Sequence, residues 1–581
     1  MTNSFTSEDV TKTHLNYLDL FKRLRPYLAK HWIACCSLLF LVVFLAMLSR
    51  VFPWLISYAI DHGISQKDIP TVTKVTIAYL VLNIIYTILS FAETYWFQKI
   101  GNRILFYIRY DLTLHVQSLP LSYFNKTPTG RIITRLTNDV TTLGELFTDG
   151  VITVFIQFIR ILSIIIAMSL ISFKLTVLCL FLSPLFIYLS LKISHRIQIT
   201  LRESKKILSS LNSFVAETLN GIKVVQLYNN TFASQKKFSN FAGDYRDVTL
   251  KSIQNYAFMM PTMNIFNAVI IGSALFYSGS IGAEQGLAVG SIVAFFFHAQ
   301  DFIYPIREII EKYQQFQNSL TSAERVFSLF DEKPEEITDL ENTQLQPSPH
   351  VRAFKGLIEI KDLNFKYEEH LPLALKSLNL TIPEGTRVGL IGRTGSGKST
   401  LISLLQKFYQ APPQTIFIDG KPIEDIPLSW LRKNLGVVQQ DNYIFKGTIL
   451  NNITLGDSSI SREKAEQAAQ MVGLLEILHK SQRHLESSTE ERGANLSVGE
   501  RQLLSFARIL AFEPDILILD EATANIDSES ERLIREATDK ITQNRTSIII
   551  AHRLSTIEKC DQIIKLENGS MTPYQSQPTT V

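Results

Sequence analysis

The chain has 581 residues, with 57 Lys and Arg against 54 Asp and Glu, for a formal net charge of +3. That balance excludes a polyanionic chain and gives no reason to expect nucleic acid as a partner. Four Cys exclude a disulfide scaffold, and 19% charged residues against 46% hydrophobic make the chain oilier than a soluble protein of this length.

Near the N-terminus, Leu15, Leu18, Phe21, Leu24 and Leu28 recur at helical intervals beside Lys22, Arg23 and Arg25. This pattern predicts an amphipathic helix lying in the headgroup layer. Long uncharged runs follow, among them Trp32 to Ser49, Val75 to Ala92 and Ser252 to Ala283. A bilayer core of about 30 Å needs about 20 helical residues, and core helices of soluble proteins rarely run that far without charge. Six spans are predicted, near 32–60, 74–97, 151–173, 175–195, 257–281 and 286–305. The first starts too late, and lacks the cleavage site, to be a signal peptide, so it is expected to stay as an anchor.

Lys and Arg crowd the segment before the first span and the long connections at about 98–150 and 196–256, while the other connections are short and poor in them. By the positive-inside rule both termini are cytoplasmic. The long connections are expected to be helical continuations of the spans. Charges inside spans are functional candidates by default. Arg50 and Glu93 are the candidates for a substrate cavity. Arg160, His298, Asp301 and Arg307 are further intramembrane groups, of which Arg160 and Arg307 could equally snorkel to the bilayer edge. An acidic stretch with Pro334, Pro347 and Pro349 then reads as a linker. The domain reading is 1–330 membrane, 331–350 linker and 351–581 soluble.

In the soluble part, the apolar strand Arg387 to Ile391 runs into Gly392-Arg393-Thr394-Gly395-Ser396-Gly397-Lys398-Ser399-Thr400 and then a helical pattern. This is G-x-x-x-x-G-K-[ST] in its strand–loop–helix context, where backbone N–H groups and a helix N-terminus hold phosphate oxygens. Lys398 reaches the outer phosphates, and the Ser399 hydroxyl takes a place on Mg²⁺. Ile516 to Leu519 is a buried-strand pattern ending in Asp520 and Glu521. Asp520 is the second candidate for Mg²⁺, and Glu521 is the candidate general base. Ser547 to Ala551 ends in His552, which could reach a γ-phosphate or merely cap the strand.

Leu496-Ser497-Val498-Gly499-Glu500 lies shortly before that acidic strand, in the place of the signature of ABC-type ATPases. With six spans ahead of it, the chain resembles a bacterial ABC exporter half-transporter of the multidrug and lipid-exporter type. Within that type it looks most like the B member of the multidrug-resistance-like heterodimeric pairs. The fold class implied is a six-span membrane α-helical domain fused to an α/β P-loop ATPase, with ATP and Mg²⁺ as cofactors. The resemblance makes Tyr367 the aromatic that stacks on adenine and Gln440 a residue that touches Mg²⁺ and senses the membrane half. It gives Leu496 to Glu500 the task of capping ATP bound to a partner subunit, and Asp527 that of coupling the two sites. Phe124 to Asp139, Glu217 to Gln226 and Ser322 to Phe327 resemble the segments that link the membrane helices to the ATPase.

Two departures stand out in the signature. Val498 replaces the usual first Gly, and Glu500 replaces a Gln. A β-branched residue in a phosphate-facing turn suggests a slow site on the partner, which favours a heterodimer over a homodimer. The tail after Gly569 lacks the family's closing segment and is expected to be frayed. The function implied is ATP-driven export of amphipathic or hydrophobic small molecules or lipids across the bacterial inner membrane. Its rivals are an importer built on the same fold, separable by uptake in vesicles of both orientations, and an ATP-gated regulator, which steady cargo-stimulated turnover would exclude.

Overall fold

The computed structural model describes residues 17–145, 152–277, 288–335, 354–439, 442–520, 528–550 and 559–573. The chain divides into two compact units. One is Met1–Gln117 with Pro128–Lys333, and the other is Ser118–Thr127 with Pro334–Val581. The segment 118–127 therefore groups with the C-terminal unit.

The first unit is helical. It contains α1 (Tyr17–Ala29), α2 (Trp32–Tyr58, continued to Ile64 by a π-turn) and α3 (Ile69–Gln117). After α4 (Leu121–Lys126), which belongs to the other unit, come α5 (Thr129–Thr134), α6 (Val140–Glu145), α7 (Ile152–Ile171) and α8 (Phe173–Asn220). The series ends with α9 (Ile222–Leu227), α10 (Thr231–Ala257), α11 (Met259–Tyr277) and α12 (Val289–Phe330). Among the described residues, 6 helical stretches are long and apolar enough to cross a bilayer. Phe181 is 80% exposed and Phe91 72%, both within these apolar stretches. Such outward aromatics are unfavourable in water and favourable against acyl chains.

The spans begin and end for local reasons. The sequence pattern parts the third and fourth near Lys174, but the break falls at Ser172, whose extended backbone (φ −156°) and hydroxyl cap α8. The second starts earlier than position 74, at Ile69. As expected of the long connections, α3 and α8 run on without interruption far beyond the length a bilayer needs. Pro53, Pro184 and Pro305 lie inside helices, as neighbouring helices in membrane bundles allow. One buried apolar cluster of the bundle joins α7, α8, α11 and α12, with the Phe186 and Phe266 rings stacked at 4.5 Å. At the N-terminal side, α1 is held by the buried Leu24, by Tyr27 donating to Asp111 at 2.9 Å and by Arg23 pairing with Asp331 at 2.8 Å.

The second unit is α/β. It opens with β1 (Ile358–Phe365), β2 (Leu375–Ile382), β3 (Arg387–Ile391) and α13 (Lys398–Leu405), followed by β4 (Ile416–Ile418), β5 (Lys421–Pro422), α14 (Leu428–Asn434) and β6 (Leu435–Val438). A mainly helical stretch comes next, with β7 (Gly447–Thr448), α15 (Ile449–Thr454), α16 (Arg462–Met471), α17 (Leu474–Lys480), β8 (Ser488–Thr489) and α18 (Val498–Phe512). It closes with β9 (Ile516–Asp520), α19 (Ser528–Thr542), β10 (Thr546–Ile550), β11 (Gln562–Glu567) and β12 (Ser570–Pro573).

The main sheet has the order β12-β11-β3-β10-β9-β6, and all its pairs but β11–β12 are parallel. Strands β9 and β10 read as unbroken apolar runs because a parallel sheet is covered on both faces. A smaller antiparallel sheet, β2-β1-β4-β5, packs its Ile358, Leu363, Leu378 and Ile416 into one core with α13. The segment after Gly569, expected to be frayed, begins as strand β12, because Ser570 to Pro573 completes a hairpin with β11 through the Asn568-Gly569 turn.

Candidate functional site

Parallel pairing brings the ends of β3, β6, β9 and β10 to one edge of the sheet. That is where phosphate ligands bind in open α/β folds. The glycine-rich loop leaves β3 at this edge and hands over to α13 at Lys398. Two of its glycines are dictated by space. A Cβ on Gly397, which sits at φ +105°, would lie 2.7 Å from a Leu375 methyl and 2.9 Å from the Ala374 carbonyl oxygen. A Cβ on Gly392 would lie 2.4 Å from the Leu566 carbonyl oxygen. The turn is held by the Ser396 N–H donating to Arg393 O at 3.0 Å and the Gly569 N–H to Ser396 O at 3.1 Å.

Lys398 folds back over the loop, its Nζ donating to Gly392 O at 2.6 Å and to Arg393 O at 3.2 Å. Burial holds its pKa below the ordinary lysine value, while the nearby Asp520 carboxylate acts in the opposite sense. Asp520 is the last residue of β9, and Ser399 occupies the first turn of α13. Gln440, Glu521, Asp527 and His552 lie outside the described residues.

Tyr367 follows β1 and is 41% exposed. Its hydroxyl is 2.9 Å from that of Thr400 on α13, and its ring meets Tyr409 edge-on at 5.0 Å. From α4, Asn125 Nδ2 donates to the Tyr409 hydroxyl at 3.0 Å, and Lys126 pairs with Glu368 at 2.8 Å. One set of polar and ring contacts thus joins the 118–127 segment to the tyrosine beside the phosphate loop.

The signature residues divide. Ser497 is the N-cap of α18, its hydroxyl accepting from the Glu500 N–H at 3.1 Å, while the Glu500 carboxylate accepts the Ser497 N–H at 2.6 Å. This is a capping box. The resemblance has Glu500 facing a partner-bound nucleotide, but it is only 5% exposed and is turned inward, with Arg483 3.5 Å away. Leu496 and Gly499 are buried as well, whereas Val498 is 42% exposed at the start of the helix.

In the membrane unit, Arg50 on α2 pairs with Asp301 on α12 at 3.2 Å, and Glu93 on α3 is buried. His298 is fully buried on α12, and Arg307 pairs with Glu311 one turn along at 2.7 Å. Neither Arg50 nor Glu93 lines an apolar cavity that lies near α1, walled by Leu28, Cys35 and Phe155 among others.

Residues 35–303 match the family described as the ABC transporter transmembrane region, and residues 375–524 match the ABC transporter family. The chain is 31% identical over 568 residues to an uncharacterized ABC transporter ATP-binding protein, YknV, of Bacillus subtilis (strain 168), covering 97% of this chain and 92% of that one. It is 32% identical over 511 residues to the probable multidrug resistance ABC transporter ATP-binding/permease protein YheH of the same organism, with 87% and 74% coverage. It is also 30% identical over 559 residues to an ATP-dependent lipid A-core flippase of Haemophilus influenzae (strain 86-028NP), with 95% and 93% coverage.

The chain belongs to the ABC transporter family.

It is a multi-pass membrane protein of the exporter half-transporter type, whose ATPase domain binds and hydrolyses ATP to drive transport. Sequence reasoning missed one cluster in this transporter. Arg325 forks onto the buried Asp139 at 2.6 and 2.9 Å, and the Ser322 hydroxyl donates to the same carboxylate at 3.1 Å. Hydrogen bonding to Asp139 raises the Arg325 pKa. Both segments stand out in the sequence, but their pairing across 186 residues leaves no local pattern to find. Tyr409 was missed because a tyrosine after an amphipathic helix is an ordinary surface feature until its neighbours are known.

Proposed function

We infer that the chain is one half of a dimeric exporter moving amphipathic or hydrophobic small molecules or lipids across the bacterial inner membrane by alternating access, with its ATPase on the cytoplasmic side. Supporting this reading is the presence in one chain of six apolar helical stretches and a glycine-rich loop beside an acid-terminated strand. The names of the multidrug and lipid A-core relatives bear on the cargo class.

In this reading Gly392 to Thr400 cradle the phosphates, with Lys398 exchanging its two loop carbonyls for phosphate oxygens. Tyr367 offers its exposed ring to adenine. Ser399 and Asp520 are hard oxygen donors of the kind Mg²⁺ takes while keeping part of its water shell, and Gln440 would complete the set. An ion held by these residues would supply positive charge to offset that of the phosphates. Glu521 takes the proton of the attacking water, and His552 contacts the γ-phosphate. Ser497 and Gly499 present the N-terminus of α18 to ATP on the partner half, with Val498 at the contact and Asp527 linking the two sites. Arg50 and Glu93 are polar groups of the transport path. The substitution of Val498 favours a partner of different sequence.

The test is Glu521→Gln. ATP binding should be retained while turnover of the assembled dimer in lipid nanodiscs falls by about 10²–10⁴-fold, the range expected for loss of a general base. Unchanged turnover would refute the assignment.

A further inference from the structure

A cavity of about 210 Å³ opens where α1, α2, α3 and α7 meet. Its walls include Leu28 of α1, Cys35 and Leu39 of α2, Ile100 and Ile104 of α3 and Phe155 of α7, and they are almost entirely apolar. It is larger than the roughly 150 Å³ apolar cavities that take up a benzene ring. The wall on α2 starts one turn past Trp32, so the cavity runs from the membrane surface at α1 into the hydrocarbon layer.

The rim is basic and aromatic. Lys30 Nζ lies 5.4 Å from the centre of the Tyr107 ring, one turn beyond Ile104, and His31 stacks on the same ring at 6.1 Å. The His31 Nε2 atom is buried and has no hydrogen-bond partner. On α3, Arg103 is exposed one turn before Tyr107. Aromatic and cationic side chains of this kind mark the headgroup level of a bilayer. A dry cleft with Lys30 and an unpaired imidazole nitrogen at its mouth is complementary to one kind of molecule. That molecule has an acyl chain and a negatively charged head.

The geometry points to a binding site for a single anionic phospholipid of the α1-side leaflet. One acyl chain fills the cleft between α1, α2, α3 and α7, and the phosphate lies against Lys30 and His31. The site requires only that the chain spans a membrane, and it is separate from the ATP-binding residues and from Arg50 and Glu93. Transported cargo with the same chemistry could also enter, so the experiment distinguishes a resident lipid from a molecule in transit.

The full-length protein, delipidated in detergent, is titrated with phosphatidylglycerol and separately with phosphatidylcholine, and adducts are counted by native mass spectrometry. One phosphatidylglycerol per chain should be retained, at least tenfold more tightly than phosphatidylcholine. Leu39 is 42% exposed and lines the cleft, so Leu39→Trp fills the cleft without opening the packed core, and it should abolish the adduct. Lys30→Ala should weaken phosphatidylglycerol by at least fivefold and leave phosphatidylcholine unchanged. As a check independent of these variants, phosphatidylglycerol should slow maleimide labelling of Cys35 in a Cys36→Ser, Cys560→Ser background. Equal retention of the two lipids, an adduct that survives Leu39→Trp, or an adduct lost when two halves associate would overturn the proposal. So would movement of that phosphatidylglycerol to the opposite leaflet of a nanodisc or vesicle when ATP is added, since the cleft would then be a station on the transport path.

Discussion

Val498 and Glu500 stand two positions apart at the start of α18 and do different work. Glu500 closes the capping box and reaches towards Arg483, so Glu500→Ala removes a cap and exposes buried backbone groups. A loss of about 1–2 kcal/mol is expected, read as a fall in thermal midpoint. Val498 is half-exposed and supports no such contact. Val498→Gly should change stability by about 1 kcal/mol or less and raise the turnover of the site that this signature caps. If both substitutions act on stability alone, the signature assignment fails. At Gly397 the expectation is harsher. Its φ of +105° and the crowding of Leu375 and Ala374 leave no room for a methyl group. Gly397→Ala should weaken ATP binding by more than about tenfold, because the strain of roughly 1–3 kcal/mol would be relieved by moving the phosphate loop. Equilibrium binding of a fluorescent ATP analogue would report it.

Elements that announce themselves do so through a local period. The spans were legible because about twenty apolar residues in a row match the thickness of a bilayer and exceed what a soluble core helix needs. β3 with α13 was legible because glycine, lysine and serine occur at fixed offsets behind an apolar strand. The inward turn of Glu500 was not, since a capping box and a nucleotide-facing signature share the same residues, and only burial tells them apart. Asp139 and Arg325 were legible as members of their segments but not as a pair. That pair ties the stretch before α6 to the end of α12. Among the described residues, Arg325→Ala would leave the buried Asp139 carboxylate with the Ser322 hydroxyl. A cost of about 2 kcal/mol is expected, less than the roughly 3–5 kcal/mol of a fully buried pair because Arg325 is half in solvent. Arg325→Lys should recover only part of it, since an ammonium cannot fork onto both carboxylate oxygens. Thermal unfolding of the three proteins in one detergent would rank them.

For the whole molecule, the decisive quantity is what this chain does without a second kind of subunit. The reading in which Val498 serves a partner of different sequence predicts little ATP turnover for the chain purified alone in nanodiscs, and a strong rise when its partner half is supplied. A homogeneous dimer with brisk turnover, abolished by Glu521→Gln, would instead make Val498 an ordinary variation.

The lengths of α3 and α8, at 49 and 48 residues, carry a consequence of their own. At 1.5 Å per residue each is about 70 Å long, more than twice the hydrocarbon thickness. Neither has a proline in its second half. Angular phase is conserved along such a rod. One alanine inserted halfway would rotate everything beyond it by about 100° and advance it by about 1.5 Å, swapping which side chains face the bundle. Four inserted alanines would nearly restore the phase, at about 400°, and leave only a displacement of about 6 Å. If the rods carry orientation from one end to the other, single insertions should uncouple ATP turnover from transport and fourfold insertions should partly recouple it. A response that simply worsened with the number of inserted residues would mean that only reach matters.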